Sequence, residues 1–269
     1  MTPHYLPSGD SLSTVNDKVI ENRQGVNMRL DWDGLLNARD LGGIPLRKGG
    51  QTIGGSYARS DHPLQLTTSG WNQAHAYGIR TIISLETAGL DGEAALRSNR
   101  PVILPDDFQA VVLRLAIEDA TDQEFMKKWA ETGLWGTPLY FAEALRKWPL
   151  LYGAAINAAA EAEGAVLLHC GRGHDRTGIL TLLLLAIAGA TPEAIAEDYL
   201  LSASNLRARE PRSVELLEAA LSQSGTTAYE AISAAIALVD DVWLRQAHVW
   251  PASVAAIRAR LVPGETATR

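Results

Sequence analysis

Ala165-Val166-Leu167-Leu168-His169-Cys170-Gly171-Arg172-Gly173-His174-Asp175-Arg176-Thr177-Gly178-Ile179-Leu180-Thr181-Leu182-Leu183-Leu184-Leu185 joins two apolar runs through a glycine-bearing loop. The first run is short and reads as a buried strand; the second continues far enough for a buried helix. Between them the chain's one cysteine stands where a strand ends and a helix begins. The unpaired N–H groups and the positive end of the helix dipole gather at that point, so anions are favoured there. A thiol in such a place is expected as a thiolate, ready to act as a nucleophile.

A phosphate ester reaching this loop finds the groups it needs. Backbone N–H groups over residues 171–176 can curl around its oxygens as a nest. Gly171, Gly173 and Gly178 are expected to allow the positive φ angles and close approach of such a curl. Arg176, six residues after Cys170, supplies a planar fork of donors for two phosphoryl oxygens. Cys170 can attack phosphorus to form a phosphocysteine, which water then hydrolyses. The His169 ring is expected to hydrogen-bond the loop backbone and help fix the thiolate. Thr177 is expected to donate its hydroxyl to the sulfur. Asp175 offers a carboxyl group to protonate the leaving oxygen and then to activate water.

HC-x5-R resembles the signature of cysteine-based protein tyrosine and dual-specificity phosphatases. The fuller HCxxGxDRTG is similar to the atypical bacterial branch, whose mycobacterial member acts on phosphotyrosine, phosphoserine and phosphoinositides. Asn37-Ala38-Arg39-Asp40-Leu41-Gly42-Gly43 resembles that branch's NxRDLGG segment, Tyr57-Ala58-Arg59-Ser60 its RS strand end, and Gly78-Ile79-Arg80-Thr81-Ile82-Ile83-Ser84-Leu85 the strand that follows. The resemblance runs from about residue 30 to the C-terminal tail. It implies a single α/β domain, with a mainly parallel central sheet flanked by helices and a helical lid insertion. It also implies hydrolysis of phosphomonoesters on phosphotyrosine or with dual specificity, with no cofactor or metal and inorganic phosphate as product.

Two departures from that branch bear on function. His174 stands where lysine commonly precedes the loop aspartate, replacing a fixed charge by a group that ordinarily titrates near 6.5; it is expected to face phosphate or substrate. Arg172, in place of a small residue, either restores that charge or points to solvent. Ser84-Leu85-Glu86 replaces Asp-Leu-Arg and so removes one acid candidate. Asp175 is thereby favoured as the acid, with Asp119 and Asp122 as rivals on the connection after residues 111–117. Arg39–Asp40 and Arg59-Ser60-Asp61 are read as structural clips, with a role at the substrate rim as the alternative.

The chain has 269 residues, 46% hydrophobic and 20% charged, with a formal net charge of −7. That balance argues against general nucleic-acid binding and against a broad electrostatic hold on anionic membranes. One cysteine excludes an internal disulfide framework and fits a reducing compartment. The start, Met1-Thr2-Pro3-His4-Tyr5, lacks a basic stretch with an apolar core, so no signal peptide is expected. A cytoplasmic location is expected, with leaderless secretion left open. The apolar segment 178–190 is too short to span a bilayer, and the six histidines show no metal-ligand spacing.

Residues 1–28 are expected as an N-terminal arm and 29–269 as one catalytic domain, with the lid at about 120–150. The pattern predicts turns over 37–50, a helix over 69–77, and strands over 80–85, 102–104 and 111–117. From 119 to 163 it predicts helices broken at Gly133, Gly136, Pro138 and Pro149, carrying Phe125, Met126, Trp129, Trp135, Tyr140, Phe141, Trp148 and Tyr152. Most of these aromatics are expected to pack the core, with some left to cap the phosphate site. Thr191-Pro192 predicts a capped helix, with Arg207, Arg209 and Arg212 near its end, and two further helices are expected around Trp250-Pro251. Two alternatives to a tyrosine phosphatase stay open: a phosphoinositide or inositol-phosphate phosphatase, and a weakly active phosphate-binding pseudophosphatase.

Overall fold

Every residue of strand β5 (Ala165–His169) is buried, which its unbroken apolar run requires of a strand covered on both faces. The computed structural model describes residues 29–265, so the arm expected over residues 1–28 lies outside the described residues. β5 is the middle strand of a five-stranded sheet, flanked by β2 (Tyr57–Ser60) and β3 (Ile79–Ala88), with β4 (Val111–Asp119) beyond β3 and the short β1 (Arg39–Asp40) beyond β2. β2, β5, β3 and β4 run parallel, and β1 is antiparallel on its edge. In register, Ser60 and Ser84 flank His169. The loop carrying Cys170 therefore leaves the carboxyl end of the central strand, where open α/β sheets bind ligands.

Helices cover both faces. On one side α1 (Thr68–Tyr77), capped by Thr67 and closed by Gly78 in the left-handed region, packs with Trp32, Phe108 and the Ala165 and Leu167 side of β5. Val166 and Leu168 face the larger core, as the two-residue alternation of a strand dictates. That core holds α6 (Asp175–Ala188), in which 11 of 14 residues are buried. Such a helix has no polar face to show and belongs inside the fold. The helices before it are α2 (Gly92–Ser98), the short α3 (Gln123–Phe125) running into a wide turn over Met126–Ala130, α4 (Phe141–Lys147) and α5 (Pro149–Glu161). After it come α7 (Pro192–Leu206), α8 (Pro211–Gln223), α9 (Ala228–Ile236), α10 (Asp241–Gln246) and α11 (Pro251–Leu261). At Gly153 of α5 a Cβ would lie 1.6 Å from the carbonyl oxygen of Ala247, so that contact admits only glycine.

Two expected elements differ. Residues 102–104 form no strand, because Val111–Asp119 takes the place beside β3. Three helices rather than two follow Thr227, since Asp240 caps an additional short helix before Trp250. Phe125, Tyr140, Phe141 and Tyr152 are fully buried in the main core. Among the described residues no helix is long and apolar enough to cross a membrane.

Candidate active site

The loop after β5 is held from behind by its carbonyl oxygens. The His169 ring donates to Cys170 O (3.1 Å), and the His62 backbone N–H donates to Gly171 O (3.2 Å). Asn37 Nδ2 donates to Arg172 O and Gly173 O, both at 3.1 Å. Arg59 donates to Gly173 O (2.7 Å) and His174 O (3.3 Å). Five consecutive carbonyls are thus drawn to donors outside the loop. A peptide unit that turns its C=O one way turns its N–H the other, so this pattern shapes the loop for an anion. Gly173, at φ +66°, makes the sharpest bend; a Cβ there would meet Ser60 O at 2.0 Å. Gly171 and Gly178 do not use positive φ; Gly178 serves instead for close packing against Tyr199, where a Cβ would come within 3.0 Å.

Behind these donors lies a buried ionic cluster. Asp198 of α7 accepts from Arg39 Nε at 2.8 Å and from Arg59, and Ser202 Oγ accepts from Arg39 at 2.8 Å. Burial, then the like charge of Arg59, lowers the Arg39 pKa to about 10 against the pull of Asp198, so it keeps its charge at neutral pH. The expected clip at Arg39 and Arg59 is therefore a structural tie between β1, β2 and α7. Asp40 accepts from the backbone N–H of Gly42 (2.6 Å) and Gly55 (2.7 Å), and Asp61 accepts from Asn37 N–H (3.0 Å) and Arg209 (2.9 Å).

In front of the loop is a cavity of about 270 Å³. Cys170, Gly171, Arg172, Asp175 and Arg176 line one side of it, and Thr87, Arg97, Ser98, Glu118, Trp135, Gly136 and Tyr140 line the rest. Cys170, 5% exposed, is a free thiol. Arg176 donates to the carbonyls of Leu85 (2.9 Å) and Ser98 (3.2 Å). Those bonds orient its guanidinium from β3 and the end of α2.

Asp175, the first residue of α6, accepts from Arg172 at 2.7 Å and from the Tyr199 hydroxyl at 3.1 Å. Burial opposes its ionisation, but the neighbouring His174 and Arg172 and these hydrogen bonds outweigh it, and the carboxyl titrates below the usual range. At neutral pH Arg172 carries that effect, because burial pushes His174 down to about 4 despite Asp175 beside it. Arg172 reaches Glu210 as well, at 3.4 Å.

His174, Thr177, Asp119 and Asp122 stand elsewhere than the sequence suggested. The His174 ring stacks on Tyr199 with centroids 4.5 Å apart and does not line the cavity. Arg172, for which solvent was an alternative, lies at the cavity in an ion pair. The Thr177 hydroxyl is buried and makes no hydrogen bond to the sulfur. Burial and then the nearby His62 push His169 down to about 3, so its ring is neutral. Asp119 turns to Thr121, accepting from its backbone N–H at 2.9 Å, and stays out of the cavity; Asp122 caps α3. Glu86, where the resembled branch usually has arginine, pairs with Arg114 of β4.

Sequence reasoning missed Glu118, the residue before Asp119. It is 1% exposed, lines the cavity, and accepts from the Tyr140 hydroxyl (2.7 Å) and the Thr87 hydroxyl (2.9 Å). It also missed the loop supports Asn37, His62 and Asp198.

The sequence profile described as the tyrosine phosphatase family matches residues 30–263. The chain belongs to the tyrosine phosphatase family. A tyrosine-protein phosphatase from Nostoc commune is 29% identical over 147 residues, 53% of this chain and 46% of its own length. A relative from Cupriavidus necator with a provisional tyrosine-protein phosphatase name is 26% identical over 181 residues, 64% of this chain and 62% of its own length. The match thus spans about half to three-fifths of these curated relatives. The α/β architecture, with its parallel strands and surrounding helices, is consistent with this family assignment.

Proposed function

We propose that the chain hydrolyses phosphomonoesters through a phosphocysteine intermediate, acting on phosphotyrosine or with dual specificity. The observation that carries this reading is the shared cavity. Cys170 and Arg176 lie on one wall of it, at a loop whose five carbonyls are tied back. Cys170 attacks phosphorus, the bond to the leaving oxygen breaks, and Arg176 holds two equatorial phosphoryl oxygens as charge redistributes. Water then attacks the phosphocysteine, the S–P bond breaks, and inorganic phosphate leaves. Asp175, ionised at neutral pH beside Arg172, accepts the proton of that water. The loop backbone over residues 171–174 supplies phosphate donors, and residues 120–150 act as the lid that closes the front of the cavity.

Trp135 and Tyr140 on the front wall suit an aryl group carried by the phosphate. Of the other guanidiniums at the cavity, Arg172 is paired with Asp175 and Glu210, and Arg97 makes a solvent-exposed pair with Glu93. That arrangement favours a substrate with one phosphate over a multiply phosphorylated inositol headgroup. Cys170→Ser should abolish turnover of p-nitrophenyl phosphate, and the wild-type enzyme should accumulate a phosphocysteine in a rapid-quench burst. Retained turnover in the variant would overturn the mechanism. Parallel assays on a phosphotyrosine peptide, a phosphoserine peptide and phosphoinositide vesicles decide the substrate class.

A further inference from the structure

We infer that Glu118 is the acid that protonates the leaving oxygen, an assignment that rests on the phosphatase reading above. Among the described residues, two carboxyl groups line the cavity, Glu118 and Asp175. They face opposite environments. Asp175 is an ion-pair partner of Arg172 and accepts a hydroxyl hydrogen bond besides, both of which stabilise a carboxylate. Glu118 forms no ion pair among the described residues; its oxygens meet two neutral hydroxyls inside the protein. A buried carboxyl whose hydrogen-bond partners are all neutral is pushed toward its protonated form, and the nearby charge of Arg176 opposes that only in part. Two titratable groups whose surroundings push them apart mark an acid and a base.

The groups facing Glu118 come from five places. Thr87 approaches from β3, Trp135 from the connection before Pro138, Tyr140 from the turn over Pro138–Tyr140, Tyr152 from α5 and Arg176 from α6. Burial raises the Glu118 carboxyl above the ordinary range, partly opposed by the charge of Arg176 and by the Tyr140, Thr87 and Trp135 hydrogen bonds. Tyr140 and Tyr152 are held well above their own usual range by burial and then by Glu118, so neither phenol competes as an acid. A phosphate dianion entering beside Cys170 adds negative charge and holds the proton on Glu118 more firmly. Once that proton is given up, the two hydroxyls are already donors in place for the new carboxylate.

The step balances. The Cys170 thiolate forms the S–P bond, the P–O bond breaks, and the leaving oxygen takes the Glu118 proton, giving an alcohol or phenol and a Glu118 carboxylate. In the second step water loses its proton to Asp175 as the S–P bond breaks and the thiolate returns. Asp175 then releases its proton to solvent, and Glu118 regains one from solvent.

The test compares leaving groups. Glu118→Gln should lower kcat by about 100-fold or more on phenyl phosphate, whose leaving group needs a proton. On 2,4-dinitrophenyl phosphate, whose leaving group does not, the same variant should lose less than about threefold, since the 10²–10⁴-fold gain from acid catalysis does not apply there. The alkaline limb of the kcat profile should vanish in Glu118→Gln. Tyr140→Phe removes one hydrogen bond to the carboxylate and should move that limb to higher pH. Equal losses on both substrates, or a limb that persists in Glu118→Gln, would overturn the assignment. If Glu118→Gln fails to fold by thermal melting, an unmoved limb in Tyr140→Phe overturns it instead. Wild-type turnover that depends on Cys170 keeps the phosphatase reading intact through any of these results. Without that turnover the reading and the assignment fall together.

Discussion

The cysteine loop has two sides made of different materials. Behind it stand Asn37, Arg39, Arg59, Asp198 and Ser202, a buried set joined by charge-assisted hydrogen bonds. In front stand Trp135 and Tyr140, backed by an aromatic cluster of the core in which Phe125 lies 4.5 Å from Trp148 and 5.9 Å from Tyr140, ring centre to ring centre. Charged bonds are directional and fix positions, so the rear sets the shape of the loop. Aromatic packing fills volume and excludes water with less demand on direction, so the front walls off the cavity. The rear should be intolerant of lost charge, and the front of lost area.

The largest effect should come from Asp198→Asn. It leaves Arg39 and Arg59 buried without their shared carboxylate, and removing one partner of a buried ionic group costs about 3–5 kcal/mol. Denaturant unfolding measures this, and a loss under about 1 kcal/mol would break the contrast. Next comes acid. His169 and His174 have folded pKa values of about 3 and about 4, below the roughly 6.5 of an unfolded histidine. Depressed values mean that the unfolded chain takes up protons first, so stability is full above about 6.5 and falls as pH drops below it. Each histidine contributes roughly 1.4 kcal/mol per pH unit over that window. Unfolding midpoints at pH 7 and 5.5 should differ accordingly, and His174→Phe should flatten the slope. The smallest effect belongs to the front. Trp135→Ala, at a partly exposed position, should leave stability within about 1 kcal/mol. It should raise KM for an aryl phosphate several-fold, the aromatic contact being worth about 0.5–1.5 kcal/mol.

The rear and the front were unequally legible in the sequence. Cys170 and Arg176 could be read because their chemistry is local: strand, loop and helix follow within a dozen residues. The strands β3, β4 and β5 could be read from their apolar runs, while their parallel arrangement followed from the family resemblance. Glu118 could not, because Glu118 and Asp119 are adjacent acids at a strand end. Which of them faces the cavity depends on the pairing of β4 with β3, whose register shifts between Glu86 and Thr87. His174 reads as a titrating, phosphate-facing group only if water surrounds it; stacking on Tyr199 removes that water. Ser84-Leu85-Glu86 looks like a loss, yet Glu86 finds a new partner in Arg114 and the Leu85 carbonyl holds Arg176. The support by Asn37 and Arg59 spans separations of 135 and 114 residues, beyond the reach of local pattern.

Those separations bear on how the catalytic centre comes into being. Its shape depends on contacts between residues near the start of the described fold and a loop that lies more than a hundred residues later, and closing such long loops is slow. A fragment spanning β5 and α6 would carry every letter of the signature and still lack the grip that turns its carbonyls outward. On the proposed reading, a partly folded chain would own the nucleophile but not the cradle, and activity would require the completed fold.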